Sequence, residues 1–557
     1  MRKWQFNSGW RLAWGRIDDI LTATWRDEGI AIFSDTAQVV ISPSGRYIVT
    51  GDLWLSTPGE LLKFRQGEAQ SDLELVATAW EDWGAATFDK LIGMFGLAVW
   101  DRDTQKLCVG RDRSGARTVY YTTVGITRWV GSRLRDLAPY RSNQLDEIAL
   151  RDYLCCAFVP GDRTMWQEIR EISPGSRLNL PSGRMESNWE IQGQEGYVEG
   201  DLADWGDRLL GLLTQVTQEY LPKGEAVGMF LSGGLDSSLI TALAAQLHSA
   251  PVHTYSIHFG RKLGNELEFS SLVAKHCQTT HQILEIPLAQ MWKRLPETMA
   301  ILDDPIGDPL TVPNLLLGRL ARQDVSVILN GEGGDPCFGG PKNQPMMIHS
   351  LYQTSLDRSD SLLAYLQSFQ KCASDLPQLL KPDIWARVKF EPSVFAAHLN
   401  GETSYLNRLM ALNIKFKGAD QIMTKVSNLT QAAGLIGRSP LFDRRVIDFS
   451  MEVPPIYKLS GTIEKAVLKQ AAINLLPNSI IHRPKSGMMV PVQLGFRDYW
   501  NWQARGLLLN RQAKISPYLN TELIRQWLKY QGDPWGRYGV KLWLLSSLEY
   551  WLQTHDD

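Results

Sequence analysis

Between Ala226 and Leu247 the chain reads AVGMFLSGGLDSSLITALAAQL. An apolar run of strand length closes at Leu231 and passes into Ser232-Gly233-Gly234-Leu235-Asp236-Ser237-Ser238. A second apolar run, of helical length, follows at once. A buried strand feeding directly into a buried helix belongs to an α/β layer arrangement, and it puts this loop at the strand's carboxyl end. Glycines let the backbone pass close to a ligand. The first-turn N–H groups and the helix dipole then favour an anion, and Ser232, Ser237 and Ser238 add hydroxyl donors. Asp236 would repel phosphate unless it held a cation; Mg2+ takes one or two carboxylates beside phosphate oxygens. The bland alternative is a Gly/Ser turn whose polar residues cap the helix. It explains the serines but not the full heptapeptide in this setting. No GxxxxGK[ST] occurs, so the loop is not of the Walker type.

At 557 residues the chain exceeds one ordinary core. Short β-like runs such as GIAIFSDTAQVVIS, GMFGLAVWD and TRWVGS fill the first part, separated by Gly, Asp and Ser. One helix is expected there, SDLELVATAWEDWG, with Ser71 as N-cap and Gly84 just past its end. The run EIQGQEGYVEGD reads as a linker. After it, amphipathic helices alternate with apolar strands, which predicts a parallel sheet covered by helices. The expected domains are 1–195 and 203–557. A net charge of −2 gives no electrostatic case for nucleic acid. Six cysteines without CxxC spacing argue against zinc and disulfides, and no run approaches the ~20 apolar residues of a membrane span. With no signal-peptide pattern at the N-terminus, a cytoplasmic protein is expected.

A second acid-bearing glycine turn, Gly331-Glu332-Gly333-Gly334-Asp335, follows the apolar run ending at Asn330 within ILDDPIGDPLTVPNLLLGRLARQDVSVILNGEGGDPCFGG. Near the C-terminus stands GTIEKAVLKQAAINLLPNSIIHRPKSGMMVP, holding Lys465 and Lys485. Alone, these acids would be solvated turn residues and the lysines surface residues. Together with the heptapeptide they resemble the asparagine synthetase family of ATP pyrophosphatases. That resemblance implies ATP and Mg2+ as cofactors, with Asp236 and Asp335 as metal ligands. It makes Glu332 the acid/base beside the reacting acyl group and Lys485 the cation over the α-phosphate and tetrahedral intermediate. Lys465 matches a second family lysine. Nucleotide would lie along Leu231–Ser238 and Gly331. Ser256 and Ile257 would flank the adenine, with Glu266 before the adenine-side helix.

The N-terminal half, FDKLIGMFGLAVWDRDTQKLCVGRDRSGARTVYY above all, resembles the family's N-terminal-nucleophile glutaminase domain, an αββα sandwich. That domain needs cysteine as residue 2, whose α-amine is its base. Here residue 2 is Arg2, the first cysteine is Cys108, and the family's Asn-Gly-Glu reads Thr50-Gly51-Asp52. This half is therefore expected to be degenerate and not to hydrolyse glutamine.

The amine must then come from elsewhere. Lasso-peptide cyclases and β-lactam synthetases are similar in layout, with a dead glutaminase half and a carboxylate adenylated for capture by an amine. Family asparagine synthetases carry K-x-D-r-x-s-M-a-x-g-l-E-x-R-x-P-f-l-D; this chain reads KVSNLTQAAGLIGRSPLFD, with Ser427, Gln431 and Ile436 replacing Asp, Met and Glu. β-Lactam synthetases hold tyrosine where Glu332 stands, and PKNQPMM after Gly340 replaces the family's usual tyrosine. The expectation is an ATP-dependent amide ligase closing a macrolactam on a peptide, with a precursor peptide and a leader protease as partners. Ammonia-dependent asparagine synthesis on the small-molecule carboxylate aspartate is the alternative. An inactive nucleotide-binding pseudo-synthetase is a further one.

Overall fold

The computed structural model describes residues 9–15, 23–34, 38–65, 70–187, 189, 191, 193, 199–260, 263–340, 346, 358–400, 403–483, 490–533 and 536–556. The chain forms two compact units. One comprises Met1–Asp146, Gly161–Ile191 and Gly418–Thr424; the other Glu147–Pro160, Gln192–Lys417 and Lys425–Asp557.

The first unit stacks two six-stranded antiparallel sheets. One runs in the order Arg170–Glu171, Tyr120–Val124, Thr127–Gly131, Trp10–Trp14, Ile30–Ser34, Trp25–Asp27; the other Arg184–Ser187, Ser176–Leu180, Lys106–Arg111, Ile92–Asp101, Tyr47–Thr57, Val39–Ile41. Strand periodicity sends alternate side chains to opposite faces. Ile48 and Ala98 thus enter the core between the sheets with Leu12 and Ile32, while Val49 and Leu97 face helix Asp72–Trp83 on the outer side. That helix starts and stops where its sequence says. Ser71 accepts from Glu74 N while the Glu74 carboxylate accepts from Ser71 N, and Gly84 ends it at φ 53°.

Two insertions were not legible. Helix Glu147–Cys156 sits within the second unit, where Tyr153 donates to Leu544 O at 3.0 Å and Arg151 donates to Val388 O at 2.9 Å. Gly418–Thr424 sits in the first, where Gly161 N donates to Asp420 Oδ2 at 2.8 Å.

The second unit is built on a five-stranded parallel sheet ordered Thr280–Glu285, Val252–His258, Val227–Phe230, Val327–Leu329, Ile436–Arg438. From the central strand Val227–Phe230 the chain winds first to one side and later returns to the other. Its carboxyl end is therefore the topological switch point, where loops diverge and leave a crevice. The heptapeptide occupies that end. Among the described residues no helix is long and apolar enough to cross a membrane.

Candidate active site

The loop after the central strand is shaped before any ligand arrives. Leu231 N donates to Tyr255 O at 2.9 Å, and Ser256 Oγ donates back to Leu231 O at 2.5 Å. Ser232 Oγ lies 3.1 Å from Ser237 Oγ and accepts from Gly234 N at 3.3 Å. Gly233 has φ +76°, and a Cβ there would stand 2.5 Å from Ser270 N, so glycine is needed for conformation and for space. Helix Leu235–Leu247 starts at once, aiming its first N–H groups into the crevice. Ser256 braces the loop with its hydroxyl, and Ile257, the next residue of the same strand, is buried at 6 % exposure.

The second glycine turn approaches this loop with backbone against backbone. A Cβ on Gly331 would lie 2.5 Å from Ser237 Cα, and one on Gly334 would lie 2.6 Å from an Asp236 carboxylate oxygen. Asp236 and Asp335, from different turns, are thereby brought to one point. Lys465 joins them there. Its ammonium is 2.7 and 2.5 Å from the Asp236 oxygens and 2.5 Å from Asp335 Oδ1. Burial alone would pull this lysine's pKa down; the two carboxylates outweigh it and raise it. Two hard carboxylates from strand-end turns fit Mg2+, which completes its shell with phosphate and water. Among the described residues no group of three or more His, Cys, Asp or Glu makes an all-protein metal cage.

Glu332, between those acids, is half-buried, and its N–H donates to Asn330 Oδ1 at 3.0 Å. The cation facing it is Lys425, 4 % exposed, whose Nζ is 2.8 Å from Asp308 Oδ2. Burial would lower the Lys425 pKa, but Asp308 and Glu332 raise it. Burial would likewise raise Asp308, yet Lys425 brings it down to about 2. Asn428, one helical turn on, exchanges two hydrogen bonds of 3.0 Å with Asp303.

One residue from which an altered acceptor pocket was expected does not lie where that argument needs it. Ile436 opens strand Ile436–Arg438 opposite Val327, at the sheet's other end from Glu332, and is 44 % exposed. Ser427 follows Lys425 by two residues on helix Thr424–Ala432, which turns it off the Lys425 face. The Ile436 replacement therefore lies away from Glu332.

Glu266 is taken up by Arg483, which also donates to Gly233 O at 3.1 Å and lies 4.0 Å from the Phe269 ring centroid. Sequence reasoning passed over Arg483, although it opens the R-P-K-x-G run. Lys485 lies outside the described residues, as do all but Met346 of PKNQPMM. Another unforeseen lysine, Lys458, is fully buried against Gly339 with Asn407 Oδ1 at 2.9 Å; burial lowers its pKa to about 7.

In the first unit, Thr50-Gly51-Asp52 lies inside strand Tyr47–Thr57, and Asp52 is paired with Arg117 at 2.7 Å. Burial pushes all six thiols up: Cys277 to about 11, Cys108, Cys337 and Cys372 to about 12, Cys155 and Cys156 well above their ordinary value. None supplies a thiolate near neutral pH.

A switch-point glycine loop facing a carboxylate–lysine cluster defines a phosphate-handling enzyme of the α/β class. Residues 208–553 match the asparagine synthase family, and 57–190 match the glutamine amidotransferase domain. The chain is 24% identical over 518 residues to asparagine synthetase [glutamine-hydrolyzing] 1 of Bacillus subtilis, covering 86% of this chain and 80% of that one. Identity is also 24% over 481 residues to a putative asparagine synthetase [glutamine-hydrolyzing] of Mycobacterium bovis, 79% of this chain and 72% of the relative. Against asparagine synthetase B [glutamine-hydrolyzing] of Escherichia coli it is 22% over 445 residues, 77% and 65%. The chain belongs to the asparagine synthase family and is an ATP-dependent ligase.

Proposed function

We propose that this ligase adenylates a substrate carboxylate in the crevice of the second unit and joins it to an amine that does not come from glutamine. The acceptor is a peptide carboxyl, captured by an amine of the same peptide to close a macrolactam. The observation that carries the amide-ligase reading is the convergence of Asp236, Asp335 and Lys465 beside the anion-ready loop, with Glu332 on the same turn as Asp335. ATP phosphates lie against the Ser232–Ser238 backbone. Asp236 and Asp335 would hold Mg2+, which would supply positive charge against the pyrophosphate. Glu332 accepts the amine proton, and Lys485 stabilises the oxyanion. Holding both reacting ends in one crevice replaces ~7–11 kcal/mol of encounter cost, so an intramolecular amine needs no channelled ammonia.

The relatives named above are glutamine-hydrolysing. Departure from them is supported by the six cysteines, all with pKa values raised by burial. A peptide acceptor is supported by charge. Beside Glu332, Lys425 is already matched by Asp308, which disfavours an acceptor that brings a second carboxylate, as aspartate does.

The test supplies ATP and Mg2+ with three probes in turn: aspartate plus ammonium, glutamine, and the precursor peptide encoded beside the gene where one exists. The expected result is AMP release with a peptide product lighter by one water, abolished in Asp236→Ala. Efficient asparagine formation would eliminate the peptide reading, and glutamate released from glutamine would eliminate the dead glutaminase.

A further inference from the structure

Lys465 occupies the place that a cation shared by Asp236 and Asp335 would take. Its Nζ touches both Asp236 oxygens and Asp335 Oδ1, and its side chain is 2 % exposed. The backbone that delivers it is unusual. Lys465 has φ 55° and ψ 39°, left-handed values that residues with a side chain keep only where the surroundings hold them. It follows the hairpin Leu459–Ser460 and Ile463–Glu464 and caps helix Ala466–Ala471, so a rigid base aims the side chain at the two acids.

We propose that Lys465 is the resident counter-cation of the nucleotide-free protein and keeps free divalent metal out until nucleotide phosphate draws its ammonium away. This rests on the reading of Asp236 and Asp335 as Mg2+ ligands. The reason is electrostatic. A divalent ion added to the nucleotide-free cluster would contact the same oxygens as the ammonium. Two cations a few ångströms apart repel, and the repulsion is screened less where one of them, the Lys465 ammonium, is buried. Without Lys465 the paired acids would attract any passing metal. A triphosphate resolves the conflict, because its own oxygens receive the ammonium while the metal takes the carboxylates. Metal and nucleotide then enter as one unit, and neither alone organises the site.

The experiment uses the full chain with Mn2+ as probe, free ion followed by electron paramagnetic resonance. Wild type, Lys465→Gln and Lys465→Arg are each titrated with and without α,β-methylene-ATP. Without nucleotide, wild type and Lys465→Arg are expected to bind Mn2+ at least ~10-fold more weakly than Lys465→Gln. The analogue raises wild-type affinity by at least ~10-fold, within the usual range of site-to-site coupling, and that of Lys465→Gln by far less. Equal affinities of wild type and Lys465→Gln without nucleotide would overturn the proposal. So would an analogue effect as large in Lys465→Gln as in wild type. Should Lys465→Gln fail to fold by circular dichroism, wild type decides alone: Mn2+ affinity unmoved by the analogue refutes the gating. If no protein binds Mn2+ even with the analogue, the metal assignment of Asp236 and Asp335 falls with it.

Discussion

Gly331→Ala tests whether the two glycine turns must meet backbone to backbone. Gly331 does not have a left-handed φ, so alanine suffers no conformational penalty there and the cost is one of space. A methyl would stand 2.5 Å from Ser237 Cα and 2.7 Å from the Asp236 carbonyl carbon. Ordinary carbon contacts lie near ~3.5 Å, so the turn must retreat by about 1 Å. Both neighbours are main chain, and no rotamer change relieves the clash. Overpacking of this kind costs about 1–3 kcal/mol of stability. The same retreat carries Glu332 and Asp335 away from the phosphate loop and stretches the 2.5 Å contact of Asp335 with Lys465. A displacement of about 1 Å in a reacting constellation costs on the order of 100-fold. Affinity for the Mg2+ complex of α,β-methylene-ATP, measured by calorimetry, should drop at least tenfold, with the urea midpoint lowered. Gly211→Ala is the control: it lies in helix Leu202–Tyr220 with nothing within 4 Å of the added methyl, and should gain about 0.5–1 kcal/mol with binding unchanged. A Gly331→Ala protein that binds the analogue like wild type and keeps its urea midpoint would refute the close-approach reasoning.

Asp308→Asn strands the buried Lys425 ammonium and should cost about 3–5 kcal/mol in urea melts. Lys425 depresses Asp308 to about 2, so the stability from this pair is fully present above ~3.9 and lost as pH falls through about 2. An acid titration of stability should show that component in wild type and lack it in Asp308→Asn; identical acid limbs contradict the pairing. Lys458 has the opposite sign. Its folded-state pKa is lowered to about 7 by burial, so the unfolded chain binds the extra proton between about 7 and 10.5. The penalty is full below pH 7, and wild-type stability should climb from pH 7 towards 10 relative to Lys458→Met. Parallel pH curves for the two proteins would show that Lys458 does not titrate in that window.

The local signals in the sequence were strong where one residue does one job. Ser71 and Gly84 bounded a helix because capping is settled within a turn. The heptapeptide announced an anion loop because only glycine passes Phe269 and Ser270 at Gly233. Chemistry that depends on several elements was read less well. Glu266 stands before helix Leu267–His276 as its motif suggested, but that its carboxylate pairs with Arg483, 217 positions away, was not legible. Ile436 was taken as a pocket residue from motif spacing, which cannot say at which end of a strand a position falls.

Sequence by itself determined that this chain carries two acid-bearing glycine turns at strand ends, an amidotransferase-like half whose first cysteine is Cys108, and lysines within the GTIEKAVLK and RPKSG runs. Those facts are local, written in residue type and short spacing. Only the tertiary structure decided that Val227–Phe230 is the central strand, with neighbours on both sides, and that Asp236, Asp335 and Lys465 share one point. Strand order is a long-range outcome of how helices cover a sheet. An ion pair spanning 229 positions exists only once that order brings its partners together.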